Sequence, residues 1–119
     1  MRRVLVVDDS TVVARQLTRI LEESGRYQIV GHAVDGLSAV KSFKEDAPDI
    51  VCMDVVMPIL DGIQALRLIR QASPEAVVVM MSSMAGVADT VAECLKAGAT
   101  TVLSKPLDAQ RVLEVLDAA

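Results

Sequence analysis

The chain predicts an α/β domain built from five βα units around a parallel sheet. Three observations carry this: short apolar runs that do not alternate, amphipathic stretches between them, and connections only a few residues long. Strands covered on both faces need not alternate, and right-handed crossovers then leave few topologies open.

Arg3 to Val7 reads as the first strand, broken by Asp8-Asp9-Ser10, which also offers an N-cap to the helix that follows. That helix runs to about Ser24. Val13, Leu17, Ile20 and Leu21 share one face, and Gly25 suits its stop. Tyr27 to Ala33 is the second strand, and Asp35-Gly36 caps a second helix with Ala39, Val40 and Phe43 inward before Pro48 ends it. Asp49 to Asp54 is the third strand, short, apolar and closed by an acid. Asp61 and Gln64 have capping-box spacing and open a third helix with Ile63, Leu66 and Ile69 inward. Ala76 to Met81 is the fourth strand, stopping at Ser82-Ser83. A loop through Gly86 leads to a fourth helix, roughly Val87 to Ala97, with Val91 and Leu95 on one side and Gly98 as its stop. Thr100 to Ser104 is the fifth strand; Lys105-Pro106 follows, and Asp108 can cap a last helix carrying Val112, Leu113 and Leu116.

The 119 residues fit one domain with one core, and 52% hydrophobic but only 2% aromatic residues mean that Val, Leu, Ile, Ala and Met build it. The whole chain, 1–119, is read as that single domain, either complete or cut from a longer protein. A net charge of −4 and the absence of a Lys/Arg run argue against nucleic acid as a partner. The apolar stretch after Met1-Arg2-Arg3 is too short for a signal peptide or membrane span, which predicts a cytoplasmic protein without membrane insertion. Cys52 and Cys94 have no paired spacing and read as buried hydrophobes; His32 has no ligand partner at useful spacing and reads as structural or surface.

Ligands of such sheets bind beyond the C-terminal strand ends, so the site candidates are Asp8, Asp9, Asp54, Ser82, Ser83 and Lys105. Asp54 is the central puzzle, a carboxylate at the end of a buried strand. Three converging carboxylates repel one another unless a cation is present. A hard divalent ion removes the difficulty: Mg²⁺, with Mn²⁺ as the alternative, accepts one or two carboxylates and fills its shell with water and phosphate oxygens. With Lys105, the pocket comes close to neutral and suits an incoming phosphoryl group. Asp54 is then the nucleophile that could form an acyl phosphate, with Asp8 and Asp9 as metal holders. Singly, each residue has a plainer reading, as turn former, helix cap or loop. Together at one sheet edge they make a site.

Val6-Val7-Asp8-Asp9-Ser10, Met53-Asp54-Val55-Val56-Met57-Pro58, Asp61-Gly62, Lys96-Ala97-Gly98-Ala99 and Ser104-Lys105-Pro106 resemble the signature of the receiver domains of two-component response regulators, over essentially the whole chain. The opening motif and Ser-Ser-Met after the fourth strand are most similar to chemotaxis-type receivers, free-standing or heading a methylesterase. The resemblance implies a flavodoxin-like sheet of order 2-1-3-4-5. It also implies that a histidine kinase or phosphotransfer domain phosphorylates Asp54, that Asp9 binds Mg²⁺ directly and Asp8 through water, and that the Val56 main-chain carbonyl completes the ligands. Lys105 would pair with the phosphoryl group, the bond to Pro106 would be cis, and a strand-four hydroxyl would move onto the phosphate. Counting forward from Asp54 selects Ser82 and counting back from Lys105 selects Ser83; Ser82, which directly ends the strand, is preferred.

Two departures from the family pattern stand out. Val102 occupies the place where many receivers have a rotating aromatic ring, so the switch must work through backbone and hydroxyl movement. Val56 and Met84 are apolar where polar side chains are common, which would order an attacking water poorly and lengthen the life of the acyl phosphate. The leading reading is a phosphoaccepting switch rather than an enzyme with a separate substrate, able to catalyse its own phosphorylation and dephosphorylation. The added charge would alter the surface of the fourth helix, fifth strand and fifth helix for a downstream protein or output domain. One alternative is a Mg²⁺-dependent phosphatase, disfavoured because Val56 stands where its acid/base would be; another is a degenerate interaction module, at odds with Asp8, Asp9, Asp54 and Lys105 all being present.

Overall fold

The computed structural model describes residues 1–83 and 88–119. Its elements alternate as β1 (Arg2–Val7), α1 (Thr11–Glu23), β2 (Tyr27–Ala33), α2 (Gly36–Asp46), β3 (Ile50–Asp54), α3 (Gly62–Ala72), β4 (Val77–Ser82), α4 (Ala88–Lys96), β5 (Thr101–Ser104) and α5 (Ala109–Ala118). The five strands pair in parallel in the order β2-β1-β3-β4-β5. The α/β doubly wound fold implied by the sequence is therefore the fold observed, with element ends moved by a residue or two.

Strand alternation sorts the side chains into two cores. Val4, Val6, Ile50, Cys52, Val79, Met81 and Leu103 pack with Leu17 and Leu21 of α1 and Val112 and Leu116 of α5. On the other face Leu5, Val7, Val51, Met53, Val78 and Met80 pack with Ala39 of α2, with Ile63, Leu66 and Ile69 of α3, and with Cys94 of α4. Each large side chain buried in this way contributes roughly 1.5–3 kcal/mol of transfer free energy. Both cysteines are free and buried, as expected of small hydrophobes, and burial pushes the Cys52 thiol up to about 12.

The caps follow the sequence in most places. Ser10 Oγ accepts from the Val13 N–H, Asp35 from the Ser38 N–H, and Asp61 and Gln64 form the reciprocal capping box. Gly25 has φ +74, the left-handed conformation that a helix stop uses. Three expectations are corrected. Asp108 occupies the N-cap position of α5, but its exposed side chain makes no cap hydrogen bond, and the helix begins through its backbone carbonyl. Within α1, Ala14 is buried, whereas Val13 and Ile20 pack only partly against the core. On α4, Leu95 is exposed and Cys94 takes the buried place. The physical reason is helix phase: consecutive residues stand about 100° apart, so the turn that points Cys94 into the core points Leu95 to solvent. The predicted helix start at Val87 and the loop through Gly86 fall on residues outside those described, as does Met84.

The far corner of the fold is pinned by polar contacts. The Arg2 guanidinium donates to the Leu116 and Ala119 carbonyls at 3.1 and 3.0 Å, and Arg26 pairs with Asp117 at 2.8 Å. The Tyr27 hydroxyl also donates to Asp117. Burial first, and the Asp117 carboxylate second, push the Tyr27 phenol up to about 12, from an ordinary 10. Because the folded state holds this proton more tightly, the stability it lends is complete below pH 10 and lost as pH rises to about 12. Tyr27→Phe is expected to be less stable than wild type by about 1 kcal/mol at neutral pH. Urea unfolding at successive pH values should show that lead closing across this alkaline window, and a lead that stays constant would contradict it.

Candidate functional site

Strands β1, β3 and β5 all deliver an acid or a base at the same end and on the same face. The alternation that turns Val4 and Val6, Ile50 and Cys52, and Leu103 toward α1 and α5 continues into Asp8, Asp54 and Lys105. Asp8 is fully buried and Asp54 is 8% exposed, while Asp9 is open to solvent. Lys105 Nζ lies 2.8 Å from Asp8 Oδ2 and 3.2 Å from Asp54 Oδ2. Asp8 Oδ1 accepts from the Ser10 N–H at 2.9 Å, so both oxygens of the most buried acid are already engaged.

The charges are unbalanced. Burial pushes the Asp54 carboxyl above its ordinary range, the nearby Asp8 charge adds to the effect, and Lys105 with the Val56 backbone opposes it. For Lys105, burial favours the neutral amine, but the hydrogen bond to Asp8 and the charges of Asp54 and Asp8 outweigh it and raise its pKa. One carboxylate oxygen from each of Asp8, Asp9 and Asp54 lies within 4.8 Å of the others. Three acids against one lysine leave a net negative crevice lined by hard oxygen donors, which fits a divalent cation such as Mg²⁺. Bound there, such an ion would supply charge neutralisation for an incoming anion.

The β3–α3 loop that frames the crevice is clamped by two glycines. The Gly62 N–H donates to the Val55 carbonyl at 2.8 Å, and the Gly36 N–H to the Leu60 carbonyl at 2.9 Å. A Cβ on Gly62 would lie 2.0 Å from the Asp54 carbonyl oxygen, and one on Gly36 2.0 Å from that of Leu60. Between the clamps Ile59 takes φ +69, a strained conformation for a β-branched residue, and it and Val56 stand exposed at the mouth.

Of the two serines, Ser82 is buried as the last residue of β4, and its carbonyl accepts from the Lys105 N–H at 3.0 Å, whereas Ser83 is exposed. Alternation places Ser82 with Met80, on the face of α3 and α4. The Lys105–Pro106 bond is cis, as the resemblance implies, and Val102 is partly buried against the α3/α4-side core. His32 is exposed, with Nε2 3.0 Å from the Asp8 carbonyl oxygen, a contact that sequence spacing could not foretell. The close approaches at Gly36 and Gly62 were also missed; their one sequence signal is the Asp-Gly pair at each helix start.

The chain belongs to the response regulator receiver domain family, which it matches over residues 4–117. Chemotaxis protein CheY of Bacillus subtilis is 39% identical over 115 residues, covering 97% of this chain and 94% of that protein. Among solved structures, the complex of CheX, CheY, BeF3 and Mg²⁺ from Borrelia burgdorferi contains a chain 39% identical with a TM-score of 0.93, covering 98% of this chain and 87% of that one. The response regulator domain of Thermotoga maritima CheB is also 39% identical, with a TM-score of 0.87, covering 99% and 92%. The chain is thus a CheY-like receiver, a class of phosphoacceptor regulators in two-component signalling. Among the described residues, no helix is long and apolar enough to cross a membrane.

The raised Asp54 pKa makes stability depend on pH. Its ionised form is disfavoured by the fold, so the contribution to stability is complete below the ordinary carboxyl value of 3.8 and lost as pH rises through the folded value. In cation-free buffer at pH 7, Asp54→Asn is expected to melt higher than wild type, with the gap narrowing toward pH 4. Calorimetry across pH measures it, and an equal or lower melting temperature at pH 7 would contradict the assignment.

Proposed function

We propose that the chain is a receiver domain, 1–119, in which Asp54 accepts a phosphoryl group from a histidine kinase or phosphotransfer domain in a Mg²⁺-dependent reaction. The observation that carries this is the convergence of Asp8, Asp54 and Lys105 within ion-pair distance, with Asp9 beside them at the open side. An Asp54 oxygen attacks phosphorus as the bond to the donor nitrogen or oxygen breaks, which leaves an acyl phosphate. Lys105 follows the new negative charge from the carboxylates onto a phosphoryl oxygen.

Asp9 and Asp54 would hold the ion directly, with the Val56 carbonyl as the third protein ligand. Asp8, each of whose oxygens already accepts a hydrogen bond, from Ser10 or from Lys105, would act through water. Ser82 is the better switch hydroxyl: buried at the strand end and bonded through its backbone to Lys105, it stands between the crevice and the α4 side, while Ser83 lies open at the entrance. Turning Ser82 toward the phosphate would change the support under α4 and β5, and with it the surface offered to a downstream protein or output domain. Chemotaxis is the pathway class favoured by the relatives, and the cytoplasm is the matching compartment. The chain would catalyse its own phosphorylation and dephosphorylation but have no separate substrate. Val56, exposed and apolar, offers no acid/base two residues beyond Asp54, which argues against the phosphatase alternative.

Acetyl phosphate and Mg²⁺ should place one acid-stable, base-labile phosphoryl group on wild type and none on Asp54→Asn, read by intact mass. No adduct on wild type, or an equal one on the variant, would remove the mechanism. Decay of the isolated adduct is expected to be slow, because Val56 does not order the attacking water, and Val56→Asn should hasten it. Loss within seconds at room temperature in the wild type would overturn that expectation.

A further inference from the structure

Among the described residues, α4 is held very differently from α3. Of its nine residues only Cys94 is buried, toward the C-terminal end, whereas Ala88, Asp89, Ala92, Glu93, Leu95 and Lys96 are exposed. By contrast α3 buries Gly62, Ile63, Ala65, Leu66 and Ile69 along its length. A helix with one buried side chain loses little apolar contact when its free part moves.

The C-terminal end of α4, however, is tied down by a side chain from another helix. Arg70, in the last turn of α3, donates from Nε and Nη2 to the Gly98 carbonyl at 3.2 and 2.6 Å. Its Nη1 donates to the Pro74 carbonyl at 2.9 Å and to the Ala76 carbonyl. Gly98 has φ +106, and a Cβ there would come 3.1 Å from Arg70 Nε, so the guanidinium lies directly on this turn. Next to it the Thr100 N–H donates to the Val78 carbonyl at 2.8 Å, and Thr100 Oγ1 accepts from the Val78 N–H at 3.1 Å. All of these bonds lie where the chain enters β4 and β5, at the sheet edge opposite Asp54 and Lys105.

We infer that Arg70 is the fixed pivot of α4: switching swings the N-terminal turns of the helix while the Gly98 end stays clamped to α3 and to the start of β4. This rests on the phosphoacceptor reading and specifies how the change at Asp54 becomes a change of surface. The guanidinium bonds three carbonyls at once, two in the α3–β4 connection and one in the α4–β5 turn, and no shorter or single-pronged side chain could do so. A disturbance at the end of β4 then meets little resistance in the first turns of α4 and strong resistance at its last one. The motion is a rotation rather than a detachment.

Hydrogen exchange read by mass spectrometry tests this on the whole chain, with and without acetyl phosphate and Mg²⁺, alongside intact mass. In wild type, exchange at residues 89–93 should change several-fold on phosphorylation while the amides of Gly98, Ala99 and Thr100 hold steady. In Arg70→Met, those three amides should exchange about tenfold faster even without acetyl phosphate, while the adduct on Asp54 still forms. Arg70→Lys, which keeps the charge but not the fork, should fall between and serves if the methionine variant does not fold. An equal response at 89–93 and 98–100 in wild type, or unchanged exchange at 98–100 in both variants, would overturn the pivot. Absence of the adduct would instead remove the phosphoacceptor reading, and the variants alone would still decide whether Arg70 clamps Gly98.

Discussion

Asp8 and Asp54 share one lysine, at 2.8 and 3.2 Å, in a place where water reaches neither acid freely. Two carboxylates so placed repel each other more strongly than they would at the surface, and a single ammonium offsets only part of that repulsion. Much of the local structure serves to bring these groups together. β1 and β3 must be neighbours, and the end of β5 must lie beside that of β4, which the Lys105 N–H to Ser82 carbonyl bond secures. The pocket is thereby left short of positive charge. That shortage suits a divalent cation, and with the cation a phosphoryl group.

The backbone around Asp54 is correspondingly tightly packed. Gly62 presses on the Asp54 carbonyl with no room for a side chain, Gly36 does the same to Leu60, and the intervening loop holds Ile59 in a left-handed conformation. Strain of this kind persists only where the surroundings over-determine it. Here the surroundings are the N-termini of α2 and α3, which press on the backbone at Leu60 and Asp54. Tight packing at Asp54 and light packing of α4 stand in contrast within one sheet edge.

The sequence made the strands legible because parallel strands buried on both faces cannot hide their apolar runs, and it made the first three helix starts legible because Ser10, Asp35 and Asp61 act within three residues of themselves. The ordered acids, serine and lysine at strand ends also disclosed the crevice, since strand direction alone sends them to one edge. Less was legible where a choice depended on fit. Asp8 and Asp9 are chemically the same, yet one is fully buried and the other exposed. Val91 and Leu95 formed as plausible a stripe as any, but the rotation of α4 about its axis, set by packing, turns Cys94 to the core and Leu95 to solvent.

What the sequence determined by itself was therefore everything carried by local periodicity and strand polarity: the α/β class, the edge at which the site lies, and the residue types that make it acidic. Tertiary structure alone decided which acid is buried, that Lys105 bridges Asp8 and Asp54, that two glycines clamp the nucleophile's loop, and that Arg70 reaches Gly98. The reason is distance along the chain. Lys105 and Asp8 are 97 residues apart and Arg70 and Gly98 28 apart, and such contacts leave no periodic trace in the intervening sequence.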